Sequence, residues 1–392
     1  MSRLLRALCA LIAAGLTTGL LMLIASHKLV ADGPPEIGTP VPVAVTSGTD
    51  SGYPTIAVAP DGTRHVVWEE VVSPTTYLYH ATSSDGIIWT LPITVSEGDS
   101  PALAIAANGA PQLVFARYVS PTVNVYATRY LTDGWRAPQR LSSGAYNASA
   151  PDIAVAPGGT LYAAWVERPT GQYVIYVALS NDDGATWPII LPTVSVSGTV
   201  VLGAPHVTVG SDGVAHLVWQ KKDSALATYD VFHKQRDPTT GQWDVVAANL
   251  SANSDAHSFG PAVAATGGRA YVLWEESNAI RASRGFTLTW TTPITLSTAG
   301  VEAADPTATM AGGVLHTAWD EGTVIRTAFG WPGSPVNLAQ DSNGIRDVAL
   351  SGGPEGMLHA AWSQGPAGTA DIYYTYRRLA QVFLPLTLRA FP

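Results

Sequence analysis

Acidic side chains recur at one place in this chain, just past an aromatic residue that ends an alternating apolar stretch. They are Glu69 and Glu70, Glu167, Glu275 and Glu276, and Asp320 and Glu321, with Arg117 and Lys221 in the equivalent place of two further copies. Converging carboxylates can supply the acid and nucleophile of glycoside hydrolysis when they stand roughly 5 to 9 Å apart. The same letters also arise where strand ends simply need solvated side chains, and acids that recur in most copies look generic. A second set, Asp50, Asp99, Asn147, Asp255 with His257, Asp305 and Asp347, falls in the stretches that lead from one copy to the next. Together the two sets predict one acidic, polar face.

Four histidines, His65, His216, His316 and His359, stand three residues before the aromatic, where the other copies hold Gln112, Tyr162 and Tyr271. A metal site needs side chains that converge on one point. These belong to separate copies, and interchange with Tyr and Gln fits a half-buried strand position. The only cysteine, Cys9, lies near the N-terminus, so the rest of the chain has no thiolate ligand, thiol nucleophile or disulfide. Neither a metal nor a cofactor is expected.

These residues are carried by one unit written seven times. "YPTIAVAPDGTRHVVWEE" (53–70) returns with variation near residues 100, 150, 204, 260, 305 and 347, and its aromatics are Trp68, Phe115, Trp165, Trp219, Trp274, Trp319 and Trp362, spaced 43 to 55 residues apart. Each unit reads as a hairpin around a Gly-containing turn, followed by a third strand such as "YLYHAT" (77–82) and a short fourth such as "PITVS" (92–96). Four antiparallel strands repeated radially make a β-propeller. The expected fold is all-β, a seven-bladed propeller of four-stranded antiparallel blades over residues 41–378. Unit seven lacks an obvious fourth strand, whereas "VPVAVTSG" (41–48) resembles one, so an N-terminal strand is expected to close the ring and remove its open edge.

The tryptophans support this arrangement. Six of the twelve are the anchors; Trp89, Trp135, Trp187, Trp243, Trp290 and Trp331 all fall between the third and fourth strands. A bulky ring at a fixed place in each blade fills the wedge-shaped gap to the next sheet, and its burial is worth on the order of 3 kcal/mol.

"SNDDGATW" (180–187) fits S-x-D-x-G-x-T-W through Ser180, Asp182, Gly184, Thr186 and Trp187. A calcium loop would need a glutamate at the position held by Ile190, so the stretch reads as a turn in which Asp182 accepts amide hydrogen bonds and Gly184 supplies a positive φ. "TSSDGIIW" (82–89) keeps Gly86 and Trp89 with Ser84 in place of the aspartate, and "SRGFTLTW" (283–290) keeps Ser283, Thr289 and Trp290. Through these motifs the chain resembles the Asp-box (bacterial neuraminidase repeat) propellers, the superfamily that includes sialidases. The resemblance implies that the boxes sit on the face opposite the active site. It also implies an arginine triad that grips the sialic acid carboxylate, a tyrosine nucleophile assisted by glutamate, and an acid/base aspartate. Aligned on Pro54, the first of those arginines falls on Gly52, which cannot replace it. Arg281, Arg326, Arg377 and Arg378, and Tyr373, Tyr374 and Tyr376 with Glu275 or Glu276, are the residues left for those roles. The family's usual ring has six blades, against seven units here.

Residues 1–31, with Arg3 and Arg6 before an apolar run, read as a signal peptide or N-terminal anchor, followed by a linker over 32–40. Residues 379–392 form an apolar tail, too short to span a bilayer, that resembles the F-L-P-L-x-L-R tails of some secreted bacterial proteins. It serves either surface retention or packing against the last blade. With 30 acidic against 21 basic residues, a net charge of −9 and no basic cluster, the chain is not built for nucleic acid. The expectation is an exported, secreted or surface-held propeller that binds a glycan or cell-surface protein without catalysis. It would touch a membrane only through an uncleaved N-terminal segment. The binding face would comprise Tyr53, Glu69, Glu70, Arg117, Glu167, Lys221, Glu275, Glu276, Asp320 and Glu321, with Tyr118 and Phe259 as further exposed aromatics. Two alternatives are a sialidase-like glycoside hydrolase using the same carboxylates and a structural role in an envelope assembly.

Overall fold

The computed structural model describes residues 37–45, 49–196, 201–222, 228–252 and 256–378. The N-terminal segment 1–31, most of the linker, Asp255 and the tail 379–392 lie outside the described residues. Seven antiparallel sheets follow in chain order. Blade 1 comprises Asp50–Val58, Arg64–Val72, Thr75–Ser83 and Ile93–Glu97, and blade 2 comprises Asp99–Ile105, Pro111–Val119, Thr122–Leu131 and Gln139–Arg140. Blade 3 is built from Ala148–Val155, Leu161–Glu167, Tyr173–Ser180 and Ile189–Val196, and blade 4 from Val201–Val209, Ala215–Lys222, Tyr229–Arg236 and Ala248–Asn249. Blade 5 runs through Ser258–Thr266, Arg269–Glu276, Ala279–Phe286 and the short Ile294–Thr295, and blade 6 through Ala304–Ala311, Val314–Glu321, Val324–Phe329 and Val336–Gln340. Blade 7 has Ile345–Gly352, Leu358–Gln364 and Asp371–Arg377, and its outer strand is Val41–Ala44, with Val41 opposite Tyr374. Ile37 bridges to Arg377, so the end of the expected linker already pairs with this blade. The first strand of each blade touches the first strand of the next, and that of blade 7 touches that of blade 1. Among the described residues the helical segments are two single 3₁₀ turns, Pro169–Gly171 and Pro354–Gly356, and no helix is long and apolar enough to cross a membrane.

The hydrophobic core is divided among the seams. Each of seven apolar clusters joins one blade to the blade before it; Trp274, for example, lies with Val218 and Val231 of blade 4, and Trp362 with Ala318 and Ile325 of blade 6. Second strands are buried on both faces, which is why Leu161–Glu167 reads as an almost unbroken apolar run. The six anchor tryptophans and Phe115 are fully buried. The other tryptophan column faces the preceding blade too: Trp89 meets Tyr374 edge-on at 5.1 Å between ring centroids, Trp135 meets His80 at 5.2 Å and Trp290 meets His233 at 4.7 Å. Both columns therefore close the seam behind them, against the expectation of a ring reaching forward to the next sheet.

Every first strand carries the same irregularity. Two residues stand opposite one anchor aromatic: Tyr53 and Pro54 face Trp68, Asp305 and Pro306 face Trp319, and the register slips likewise in the other five blades. This is a β-bulge. Its first residue has a positive φ, 48° at Tyr53, 52° at Ser100, 51° at Ala150, 49° at Gly260, 51° at Asp305 and 58° at Asp347. Non-glycine residues hold such angles at a cost of about 1–3 kcal/mol each unless the surroundings over-determine them. The second residue is a proline in six blades and Val348 in the seventh, a place where the ladder asks for no N–H.

Because each anchor ring fills one seam, Trp274→Ala should lower stability by about 3–5 kcal/mol. Denaturant unfolding monitored by far-UV circular dichroism measures the loss.

Candidate functional site

The site is built from the bulges outward. A bulge frees the N–H of its first residue from its own sheet, and in five of the seven blades a side chain of the preceding blade accepts it. Ser100 N donates to Glu69 Oε1 at 2.6 Å, Gly260 N to Gln220 Oε1 at 3.1 Å, Asp305 N to Glu275 Oε1 at 2.9 Å and Asp347 N to Asp320 Oδ2 at 3.1 Å. At the seam between blades 7 and 1, where Ser363 follows the anchor, the Asp347 carboxylate accepts both Ser363 Oγ at 3.1 Å and Tyr53 N at 3.4 Å. The acids directly after the anchor are thus not generic solvated strand ends, as their recurrence implies in the sequence, but clasps between blades.

The acids one residue further on bind the segments that lead into or open the first strand of their blades, and two of them also bind the indole of their own anchor. Glu70 accepts Thr49 Oγ1 at 2.7 Å, and Glu167 accepts Ser143 N at 2.7 Å. Glu276 accepts Ser258 Oγ at 3.0 Å and the Trp274 indole N–H at 3.2 Å, with Arg281 at 3.4 Å. Glu321 accepts Thr298 N and the Trp319 indole N–H, each at 2.8 Å, and Arg326 Nε at 2.9 Å. Arg117 and Lys221 occupy the same column, the first 3.8 Å from Glu97 and the second over the Phe232 ring at 5.2 Å. Of the ten residues assigned to a binding face, Tyr53 and Glu275 line the cavity of the central channel, and Glu69 and Asp320 lie beside it within electrostatic reach of Asp347. The other six are set back from the cavity.

The channel has a cavity of about 650 Å³ lined by Tyr53, Ser100, Asp152, His206, Glu275, Asp305 and Asp347 among others. Its two sides differ. On one, His206 Nδ1 lies 3.5 Å from Asp152, whose Oδ2 also accepts Val207 N. On the other, carboxylates of blades 1, 5, 6 and 7 crowd together. Burial, with Asp305 and Asp347 nearby, pushes the Asp320 carboxyl up to about 8 against the opposing Asp347 N–H. Burial and the charges of Glu275 and Asp347 raise Asp305 to about 6. Burial, with lesser help from Asp99 and Asp347, lifts Glu69 to about 7 although the Ser100 N–H bond works the other way. The Asp347 charge, followed by burial, raises the Tyr53 hydroxyl, and its ring is 63% exposed at the rim. Arg346, which sequence reasoning passed over, lies 3.1 Å from Asp50 and 3.6 Å from Asp347. Asp305 and Asp347 themselves were legible only as loop acids; the signal was their place as the residue before the bulge's second position. A second aromatic edge joins Tyr229, His257 and Phe259, with ring centroids 5.2 to 5.7 Å apart.

The residues marked for sialidase roles do not assemble. Tyr374 is buried, 2.7 Å from His359 Nδ1, Tyr373 stacks on Trp362 at 6.4 Å, and both belong to blade 7 rather than to the blade of Glu275 and Glu276. Arg377 lies over Phe329 at 4.2 Å, and Arg326 also donates to Asn337. A side chain at Gly52 would meet Asp347 Oδ2 at 3.6 Å.

The histidine column is fully buried, not half-buried: His65 Nδ1 lies 3.1 Å from His80 Nε2, and His216 Nδ1 3.0 Å from His233 Nε2. Burial drives His65, His216 and His316 down to about 4 and His80 and His359 to about 3. Among the described residues no group of three or more His, Cys, Asp or Glu is arranged to hold a metal ion.

On the opposite face, the Ser180–Trp187 turn is closed by its own side chains. Asp182 accepts Ser180 Oγ at 2.8 Å, Thr186 N at 2.9 Å and Thr186 Oγ1 at 2.6 Å, which holds its carboxyl down at about 2; Gly184 has φ 71°. In blade 1 the acid is not lost but displaced: Asp85, one residue past Ser84, accepts Ser83 Oγ at 3.0 Å and the amides of Ile87 and Ile88 at 2.8 and 2.9 Å.

No known family profile matches the chain. No curated protein sequence matches it either. Solved structures do. A protein of unknown function from Dyadobacter fermentans superimposes with a TM-score of 0.57 at 13% identity, covering 88% of this chain and 99% of that one. An α-L-arabinofuranosidase of Fusarium graminearum, in complex with arabinobiose, gives 0.53 at 13% identity over 87% and 97%. A Hadza microbial sialidase gives 0.49 at 12% over 88% and 96%. At these identities the likeness is one of fold alone.

Two outcomes follow from the electrostatics. Asp320 has a folded value near 8, above its unfolded value of 3.8, so its contribution is full below pH 3.8 and is lost as pH rises through 8. Asp320→Asn should therefore gain stability relative to the parent at pH 9 and lose that advantage at pH 5, as read from urea midpoints. His216 has the reverse sign: its folded value near 4 lies below its unfolded 6.5, so its stabilising effect is full above 6.5 and fades as pH falls through 4. His216→Gln should flatten the fall in stability between pH 7 and pH 4.

Proposed function

We propose that the protein is an exported propeller of the Asp-box, sialidase-like kind that binds a glycan across the channel mouth without hydrolysing it. The observation that carries this reading is the commitment of Glu69, Glu275 and Asp320 to the backbone of the adjoining blade, around an open polar cavity edged by the exposed Tyr53 ring. Aromatic faces beside hydrogen-bonding groups suit sugar rings, which present one apolar and one polar aspect. Gly52 at the place of the first carboxylate-gripping arginine argues against a sialidase. Arg3 and Arg6 before the apolar run support export.

One observation favours the hydrolase reading. The Asp305 carboxyl lines the cavity, accepts no hydrogen bond among the described residues and sits at about 6, a value suited to general acid catalysis. A glycan array and a panel of glycosides that includes arabinans and sialosides decide between the two. Binding without turnover is the expected result. Turnover abolished by Asp305→Asn would replace it with a glycoside hydrolase, and neither binding nor turnover would leave a structural role.

A further inference from the structure

The polar rim changes character at blade 4. Where blades 1, 3, 5 and 6 end their second strands on acids, blade 4 ends on Lys221 and Lys222. Each ammonium lies over a ring carried by the third strand, Lys221 over Phe232 at 5.2 Å and Lys222 over Tyr229 at 5.4 Å from the centroid. Lys222 enters no ion pair among the described residues. A cation resting on a ring face keeps N–H donors on the side turned away from that ring.

Tyr229 in turn belongs to a trio of rings. It meets Phe259 at 5.2 Å and His257 at 5.7 Å between centroids, and His257 stacks on Phe259 at 5.4 Å with 19° between planes. A backbone bond holds the trio in place: Tyr229 N donates to His257 Nδ1 at 3.1 Å, which fixes the imidazole and leaves Nε2–H as its remaining donor. His257 and Phe259 are nonetheless exposed, Phe259 by 37%. The acids of the adjoining strand are occupied elsewhere. Glu275, opposite Phe259, accepts Asp305 N, and Glu276, opposite Ser258, accepts Ser258 Oγ and the Trp274 indole and pairs with Arg281. Phe259 directly precedes Gly260, which lines the channel cavity, so the trio reaches the cavity's edge.

We propose that Lys222, Tyr229, His257 and Phe259 form a subsite for a hexuronate residue of an acidic glycan, an inference that rests on the glycan-binding reading and names the class of sugar. A hexuronate carries its carboxylate on the same ring whose C–H face can stack on an aromatic surface. With all substituents equatorial, as in β-linked glucuronate, axial C–H bonds cover both faces; one face suits the exposed Phe259 and His257 rings, and the carboxylate accepts charge-assisted hydrogen bonds from the Lys222 ammonium. A neutral sugar would cover the rings and leave the ammonium without a counter-charge. An acidic peptide would answer the ammonium and leave the rings uncovered.

Isothermal titration of the full chain at pH 7 and low salt tests this with β-1,4-linked tetraglucuronate, its neutral counterpart cellotetraose, sialyllactose and tetraglutamate. Tetraglucuronate should bind about tenfold more tightly than cellotetraose, a gap that closes as salt rises. Lys222→Gln should erase that gap and leave the cellotetraose affinity unchanged, whereas Phe259→Ala should weaken both sugars by about tenfold. Unfolding midpoints report that both variants are folded. Equal binding of the two tetramers, or a gap that survives Lys222→Gln, overturns the hexuronate subsite. Sugar binding that ignores both substitutions but falls with Tyr53→Ala overturns it too, while leaving glycan binding at the mouth intact. Sialyllactose or tetraglutamate binding as tightly as tetraglucuronate assigns the ammonium to a different partner and likewise overturns it. If no glycan binds, the subsite and the functional reading fail together.

Discussion

An amide released from one sheet and captured by a carboxylate or carboxamide of the sheet before it is the contact that organises this ring. The first strand must turn sharply where it leaves the channel mouth, and it does so by setting two residues against one anchor aromatic. That geometry puts Tyr53, Ser100, Asp305 and Asp347 at positive φ and leaves their N–H groups pointing away from any ladder partner. Glu69, Glu275 and Asp320 supply the partner, each one residue past an anchor ring that fills the other seam of its blade. Each of these second strands is therefore joined on both sides, by an apolar ring to the blade before and by a carboxylate to the blade after.

The same arrangement sets the electrostatics of the mouth. Acids placed to hold amides are drawn into partial burial and brought near one another, and both effects favour the protonated carboxyl. Asp182 on the far face shows the contrast: equally acidic by type, it is exposed, ringed by donors and held at about 2, whereas Asp320 sits near 8. Position in the blade, not residue type, decides which carboxylates are charged. The mouth gains a polar rim as a by-product of ring assembly, and the side chains of Asp305 and Tyr53 stay free of the clasps.

Much of this was legible in the chain. Seven copies of one pattern and two tryptophan columns are enough for a seven-bladed propeller, because a ring at a fixed place in every repeat has no use on a solvent-facing surface. The outer strand of the last blade was legible from "VPVAVTSG", since only an unpaired strand pattern precedes the first unit. The clasps were not. Nothing in Tyr53, Ser100 or Asp305 marks a positive φ, and a residue before proline is ordinarily extended, so the bulge is a product of the ring rather than of its own sequence. Burial of the histidines was underestimated for a related reason: Tyr and Gln in the same column read as polar tolerance, whereas His65 pairs with His80 and His216 with His233 on the neighbouring strand inside a closed seam. The blade 1 turn misled by one residue, because Asp85 reaches amides that the pattern assigns to position 84.

The most direct test of this account is residue-resolved hydrogen exchange at the amides of Ser100, Gly260, Asp305 and Asp347. They lie at the rim of the channel, where an amide free in solvent would exchange at nearly the unprotected rate. The clasps predict protection close to that of the neighbouring second strands, lost selectively at Asp305 when Glu275 is replaced by alanine. Fast exchange at these four positions in the parent protein would contradict the claim that adjoining blades are joined through them.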